Sequence, residues 1–176
     1  MTTLSWRLQL AIMENLAFQF SGMKNFGFSH VDTLSDGEIA VRVRETCPED
    51  QLRGYAPVYK FDVLLAYTEI VVGAIDLRIS NTEHILLYAG HIGYGIDPRY
   101  RGNRYAAKAC KLIKQTALAH GFTTLWITCN PDNLASRRTC EILGAKLVEI
   151  VDLPEYTEMY QKGERQKCRY RWDLED

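Results

Sequence analysis

The sequence predicts one α/β domain built on a mixed sheet, and three observations carry that prediction. Two strand–helix units follow each other between 91 and 143, a succession that makes their strands parallel. The segments on either side, 58–79 and 146–174, read as strands that pair antiparallel across turns. The chain has 176 residues, enough for one sizeable core, and no linker, repeat or low-complexity tract divides it.

Residues 3–20 read as an amphipathic helix. Leu4, Leu8, Ile12, Leu16 and Phe20 recur four apart, and Trp6, Leu10, Met13 and Phe18 widen the apolar side. Such a helix packs on its own domain or offers a dimer or membrane face. Residues 21–37 are glycine-rich and polar and read as loop. Asp36-Gly37 turns into a strand at 38–44, which Cys47-Pro48-Glu49-Asp50 ends. The irregular stretch to Pro57 is a candidate border of a substrate site.

Segments 58–66 and 70–79 read as a hairpin around Thr68-Glu69. Tyr59, Phe61, Val63 and Leu65 share a face of the first arm; Val71, Gly73, Ile75, Leu77 and Ile79 share a face of the second. Asp76 and Arg78 point the other way. Two readings of that pair stand open: a structural ion pair, or a substrate contact with an acid–base group. Residues 81–89 read as a connecting loop.

The stretch 91–121 organises the rest. Ile92, Tyr94 and Ile96 alternate as in a strand, and Pro98 stops it. Arg99, Arg101 and Arg104 crowd around Gly102 where a helix begins. Tyr105, Ala109, Leu112, Ile113, Thr116 and Ala117 share one face of that helix, and His120-Gly121 ends it. Free amides at a helix N-terminus, flanked by arginines, make an anion site that suits the pyrophosphate of a nucleotide-like cofactor. Residues 123–129 then read as a buried strand, 130–133 as a turn, 134–143 as a helix stopped by Gly144, 146–153 as a strand, 154–167 as a loop and 168–174 as a last strand.

Composition narrows the function. The net charge is −1, so no overall basic field points to nucleic acid. The five cysteines are scattered without C-x-x-C spacing, which argues against a metal site and for a reducing, cytoplasmic setting. No signal-peptide pattern and no apolar run of spanning length is present, so no membrane partner is expected.

Arg101-Gly102-Asn103-Arg104-Tyr105-Ala106 is neither a dinucleotide fingerprint nor a P-loop, because Gly90, Gly93 and Gly95 lie inside the strand and no Gly-Lys-Ser/Thr follows. Asn133-Leu134-Ala135-Ser136 opens the second helix, and Asn133 alone reads as a simple N-cap. Together the two motifs resemble the GCN5-related N-acetyltransferase superfamily. Its cofactor signature is Arg/Gln-x-x-Gly-x-Gly/Ala at the start of a helix, and its later helix begins Asn-x-x-Ser/Ala. GHIGYGID, ITCNPDNLAS and CRYRW look like a bacterial subgroup of it. The resemblance covers about 58–174 and is diffuse before that, which suggests a core at 58–174 and a variable acceptor-side region at 1–57.

The resemblance implies the acyl-CoA N-acyltransferase fold: a mixed, mostly antiparallel sheet whose central parallel strands, 91–97 and 123–129, splay apart with helices flanking them. It implies acetyl-CoA as co-substrate. The pyrophosphate would meet Arg101, Gly102, Asn103, Arg104, Tyr105 and Ala106, the pantetheine would pair along Tyr94, Gly95 and Ile96, and Asn133 and Ser136 would complete the site. Two positions depart from the pattern. Arg104 stands where a second glycine is usual: the loop is ordinary helix there, or Arg104 adds a charge near a phosphate, the reading preferred. Cys140 stands where many members carry a tyrosine that protonates the leaving thiolate, which leaves a buried thiol or a substitute acid.

The implied chemistry is transfer of an acetyl group to a primary amine by direct attack. Backbone N–H groups around Gly95-Ile96 would meet the oxyanion. His91 and Asp76 are the candidate bases; Arg78 beside Asp76 would lower its pKa unless it binds an acidic substrate group. Tyr156 and Tyr160 are candidates for the acceptor side. The acceptor is expected to be a small-molecule or peptide amine, with a monomer or homodimer as the working form. The rival class is a non-catalytic acyl-CoA-binding or regulatory domain, and a third is an interaction protein using the 3–20 helix.

Overall fold

The computed structural model describes residues 27–174. The expected helix at 3–20 lies outside the described residues. In chain order the strands are β1 (Leu34–Ser35), β2 (Ile39–Cys47), β3 (Val58–Leu65), β4 (Val71–Arg78), β5 (Ile92–Ile96), β6 (Thr124–Cys129), β7 (Lys146–Asp152) and β8 (Gln166–Asp173). The α-helices are α1 (Tyr105–Ala119), α2 (Leu134–Ile142) and the short α3 (Glu158–Gln161). All eight strands join one mixed sheet in the order β1-β2-β3-β4-β5-β6-β8-β7. Every pairing is antiparallel except β5 with β6. No helix among the described residues is long and apolar enough to cross a membrane.

Alternation along the strands builds the core. Tyr59, Phe61 and Val63 of β3, Ile75 and Leu77 of β4, Ile92 of β5 and Leu125 and Ile127 of β6 are buried with Ala109, Cys110, Ile113 and Ala117 of α1. The opposite face carries Lys60, Asp62, Asp76 and Arg78, all only partly buried.

Four local expectations need correction. β4 carries an extra residue: Val63 pairs with Gly73 and Leu64 with Val71, so Val72 is the bulge. Val72 therefore turns inward, while Val71, expected on the inner face, is 47% exposed. The stretch at 81–89 is not simple loop, because Ile85–Ala89 winds as a wide π-helical turn with Ile85 buried. The loop at 154–167 contains α3, capped by the Thr157 hydroxyl. Leu34–Ser35, read as loop, adds an edge strand to β2.

The centre of the sheet opens. β5 and β6 share a single register pair, Ile92 with Ile127. Beside it the His91 N–H donates to the Trp126 carbonyl at 2.7 Å. Gly90 makes that approach possible: its φ is +70°, and a Cβ there would stand 3.0 Å from the Thr128 nitrogen and the Trp126 oxygen. Past this junction the ladder ends and the strands part.

Candidate active site

The opening leaves one edge of β5 unpaired. Gly93 lies opposite Asp76 and Gly95 opposite Ala74. The Arg78 N–H donates to the His91 carbonyl and the Asp97 N–H to the Val72 carbonyl, which fixes the alternation of the ladder. The N–H groups of Gly93 and Gly95 are thus spent on β4, and those of Tyr94 and Ile96 face the gap. This narrows the expected oxyanion donors at Gly95-Ile96 to Ile96, with Tyr94 as its neighbour.

Beyond β5 the chain makes a tight loop. A 3-10 turn, Pro98–Tyr100, follows Asp97, whose carboxylate accepts from the Arg99 main chain and guanidinium and is held down to about 2. Arg99 is thereby committed. Arg101 donates its Nε to the Ile96 carbonyl at 3.0 Å, which lays the side chain back along the open edge. Gly102 has φ +89° and Arg104 has φ 59° and ψ 20°, so two left-handed residues bracket Asn103. The first amide to bond into α1 is that of Lys108, to the Arg104 carbonyl. The amides from Gly102 to Ala107 have no partner in the described residues, and they converge at the helix N-terminus with the Arg104 side chain exposed beside them. Arg104 is therefore left-handed rather than ordinary helix. Tyr105 packs its ring on the core behind the loop.

The second motif reaches the same gap. Asn133 caps α2, its side chain accepting from the Ser136 N–H at 3.1 Å. The Ser136 hydroxyl sits 2.8 Å from the Tyr94 hydroxyl, tying α2 to β5 across the opening. Burial pushes the Tyr94 phenol well up, so it stays protonated. Cys140, one turn on, is fully buried, and burial pushes its thiol up to about 12. A thiol with that affinity for its proton and no solvent contact is a core residue rather than a substitute acid.

Of the other expected site residues, Asp76 and Arg78 lie on the sheet face away from α1, and His91 lies between β5 and β6. His91 is fully buried and both ring nitrogens are used: Nδ1 accepts from the Trp126 N–H at 2.8 Å, and Nε2 donates to Asn81 at 2.9 Å. Burial holds its pKa down to about 3. It has no free position for a substrate proton and acts as a brace between β5 and β6. The Asp76 side chain forms neither a hydrogen bond nor an ion pair with any described residue, so of the two readings left open for Asp76 and Arg78 the structural ion pair is not made. Its pKa is raised, because desolvation outweighs the pull of Arg78, Lys60 and Arg44. That reverses the expected lowering and suits a base. Arg78 donates to the Gly90 carbonyl at 3.2 Å and lies over Gly93, whose added Cβ would stand 3.3 Å from its guanidinium.

Tyr156 is 82% exposed near Tyr88, whose pKa is raised by burial first and by the Tyr156 field second. Tyr160 lies under the Arg165 guanidinium at 4.1 Å and donates to Glu155. The sequence barely marks Arg169, which is buried, stacks on Trp126 at 4.3 Å and donates to the Leu86 carbonyl. It pins the π-helical turn beside Arg78. Its one signal is a cation alternating with Cys168, Tyr170 and Trp172 in a buried last strand.

The comparisons with known proteins agree with this geometry. No curated protein matches the chain. Among solved structures, the chain is similar to ribosomal-protein-S5-alanine acetyltransferase from Vibrio fischeri, with 14% identity over 83% of this chain and 98% of that one and a TM-score of 0.61. It is similar to RimL, the ribosomal L7/L12 α-N-protein acetyltransferase, solved in complex with coenzyme A: 13% identity over 81% of this chain and 98% of that one, TM-score 0.58. A third is the microcin C7 self-immunity acetyltransferase MccE in complex with acetyl-CoA and AMP, with 17% identity over 66% of this chain and 61% of that one, TM-score 0.50. At these identities the likeness is one of fold. The family model described as an acetyltransferase (GNAT) domain matches residues 15–146, most of the chain. The chain therefore belongs to the GNAT acetyltransferases, enzymes that use acetyl-CoA.

Proposed function

We propose that this protein transfers the acetyl group of acetyl-CoA to a primary amine by direct attack, with the V between β5 and β6 as its reaction site. The observation that carries this is the unpaired edge of β5. Its main-chain groups offer an amide-bearing arm the hydrogen bonds of an added strand. Acetyl-CoA supplies the activated thioester. The amides from Gly102 to Ala106, with Arg101 and Arg104, hold the pyrophosphate, and Asn103 and Tyr105 keep that loop in shape. Asn133 and Ser136 set the N-terminus of α2 beside Tyr94. The Ile96 N–H stands ready for the oxyanion.

Asp76 takes the proton of the amine, directly or through a water. Its desolvated carboxylate is more basic than an ordinary one, and Gly95 leaves the neighbouring surface of β5 bare. Tyr156 and Tyr160 line the acceptor side. The compared ribosomal-protein acetyltransferases make a peptide N-terminus one acceptor to test first, beside small amines. The five unpaired cysteines fit a reducing cytoplasm.

Amide hydrogen exchange with and without acetyl-CoA tests the binding half of this reading. Tyr94 and Ile96 should exchange faster than Gly93 and Gly95 in the free protein and become protected on binding. Release of coenzyme A with an amine panel tests the other half, and Asp76→Asn should lower kcat about 100-fold or more at unchanged acetyl-CoA affinity. Protection without amine-dependent release would make the protein a non-catalytic acyl-CoA-binding module.

A further inference from the structure

Arg78 is a cation without a salt bridge. Its guanidinium makes one hydrogen bond, to the Gly90 carbonyl, and no ion pair with any described residue. The neighbouring cations on the sheet are all matched. Arg42 pairs with Glu69, Arg44 with Asp62 at 3.1 Å, Lys60 with Glu45 at 3.0 Å and Arg169 with Glu149. Arg78 is also largely desolvated: burial lowers its pKa against the upward pull of the Asp76 charge, and its own charge adds to the lowering that burial imposes on His84 and His91. Withdrawing a guanidinium from water without an anion to meet it is costly, and a fork of N–H donors is shaped for a carboxylate.

Its placement connects it to the chemistry. Arg78 lies over Gly93, the residue of β5 that faces Asp76 across the ladder. Asp76 and Arg78 are two residues apart on one face of β4, which sets their side chains about 6.6 Å apart along the strand. We propose that Arg78 binds a carboxylate carried by the acceptor itself, so that the substrate is an amino-acid-like molecule with its amine and its carboxylate separated by a few bonds. Asp76 faces the amine and Arg78 the acid. This rests on the acetyltransferase reading above and names its substrate class. Gly93 is part of the device, since any side chain there displaces the guanidinium.

The test is a chemical ruler: glycine, β-alanine and γ-aminobutyrate, each against its primary amide. Binding is measured by calorimetry to the full chain, free and loaded with coenzyme A, and turnover is measured with acetyl-CoA. At least one acid should bind 10-fold or more tightly than its amide. Arg78→Gln should bring that ratio to within 2-fold at unchanged acetyl-CoA affinity. Gly93→Ala, which moves the guanidinium without removing it, should lower the ratio if the Arg78→Gln protein fails to fold. Equal binding of every acid and amide, or no binding of either, overturns the proposal, as does a preference that survives Arg78→Gln and Gly93→Ala. Loss of acetyl-CoA binding or of all turnover, with the acid preference intact, strikes the acetyltransferase reading instead.

Discussion

Arg104 holds a backbone conformation that a glycine adopts freely. Among the described residues only Tyr67 and Arg104 are left-handed without being glycine. The strain of an L-residue there is about 1–2 kcal/mol, and it sits in the loop that presents the free amides. A strained residue kept at a binding loop points to work done by its side chain. Arg104→Gly should therefore separate two effects. The variant should melt about 2–4 °C higher, as expected for ~1 kcal/mol in a chain of this size, and bind acetyl-CoA several-fold more weakly. Thermal melts and calorimetry read both; unchanged affinity would leave the arginine without a phosphate role. The sequence marked this position, because Arg104 stands where a second glycine is usual, but not its conformation. It misjudged Asp76 for a physical reason. Arg78 is visible two residues away, but the strand holds the two groups apart, and the desolvation that wins comes from strands brought together by the fold.

At the scale of elements, glycines in facing strands have different duties. A Cβ on Gly73 of β4 would stand 2.4 Å from the Gly95 carbonyl and 2.7 Å from the Ile96 side chain. Nothing lies within 4 Å of a Cβ added to Gly95. Gly73→Ala should push β4 off β5 at the end where Ile96 serves the gap. It should cost about 2 kcal/mol or more, in the range of overpacking, and weaken acetyl-CoA binding. Gly95→Ala should fold with a change within about 1 kcal/mol, the usual cost range of relieving or imposing glycine entropy. Urea unfolding of both variants checks the contrast, and an equal loss would refute it. Faces of β3 and β5 were legible because alternation is local. The turnover from Val71 to Val72 was not, because a bulge belongs to the pairing of two strands. The π-helical turn at Ile85–Ala89 was hidden for a related reason: it is held by Arg169, 83 residues after Leu86.

At the scale of the whole molecule, the buried titratable groups set a window of stability. His91 binds a proton near pH 6.5 when unfolded and near 3 when folded. Below 6.5 the unfolded chain takes up the proton first, so stability is complete above 6.5 and declines toward pH 3, by at most about 1.4 kcal/mol per pH unit for one group. His84 and His120 are lowered too and add to the same limb. Cys140 is displaced the other way, from 9.0 to about 12, and Tyr94 and Cys110 also upward. Unfolded thiols ionise first above pH 9, so stability is complete below 9 and falls as pH rises toward 12. Asp76, raised within the fold, opposes the acid limb only where carboxylates titrate, below about pH 5. Between pH 5 and 6.5 the histidines act alone. Urea midpoints should therefore be flat from pH 6.5 to 9 and fall between 6.5 and 5, and His91→Gln, which keeps a side chain able to bond Asn81, should flatten that fall. A midpoint independent of pH across that interval in the parent protein would mean that the ring takes up its proton as readily within the sheet as in the unfolded chain, and the brace between the central strands would have to be built in another way.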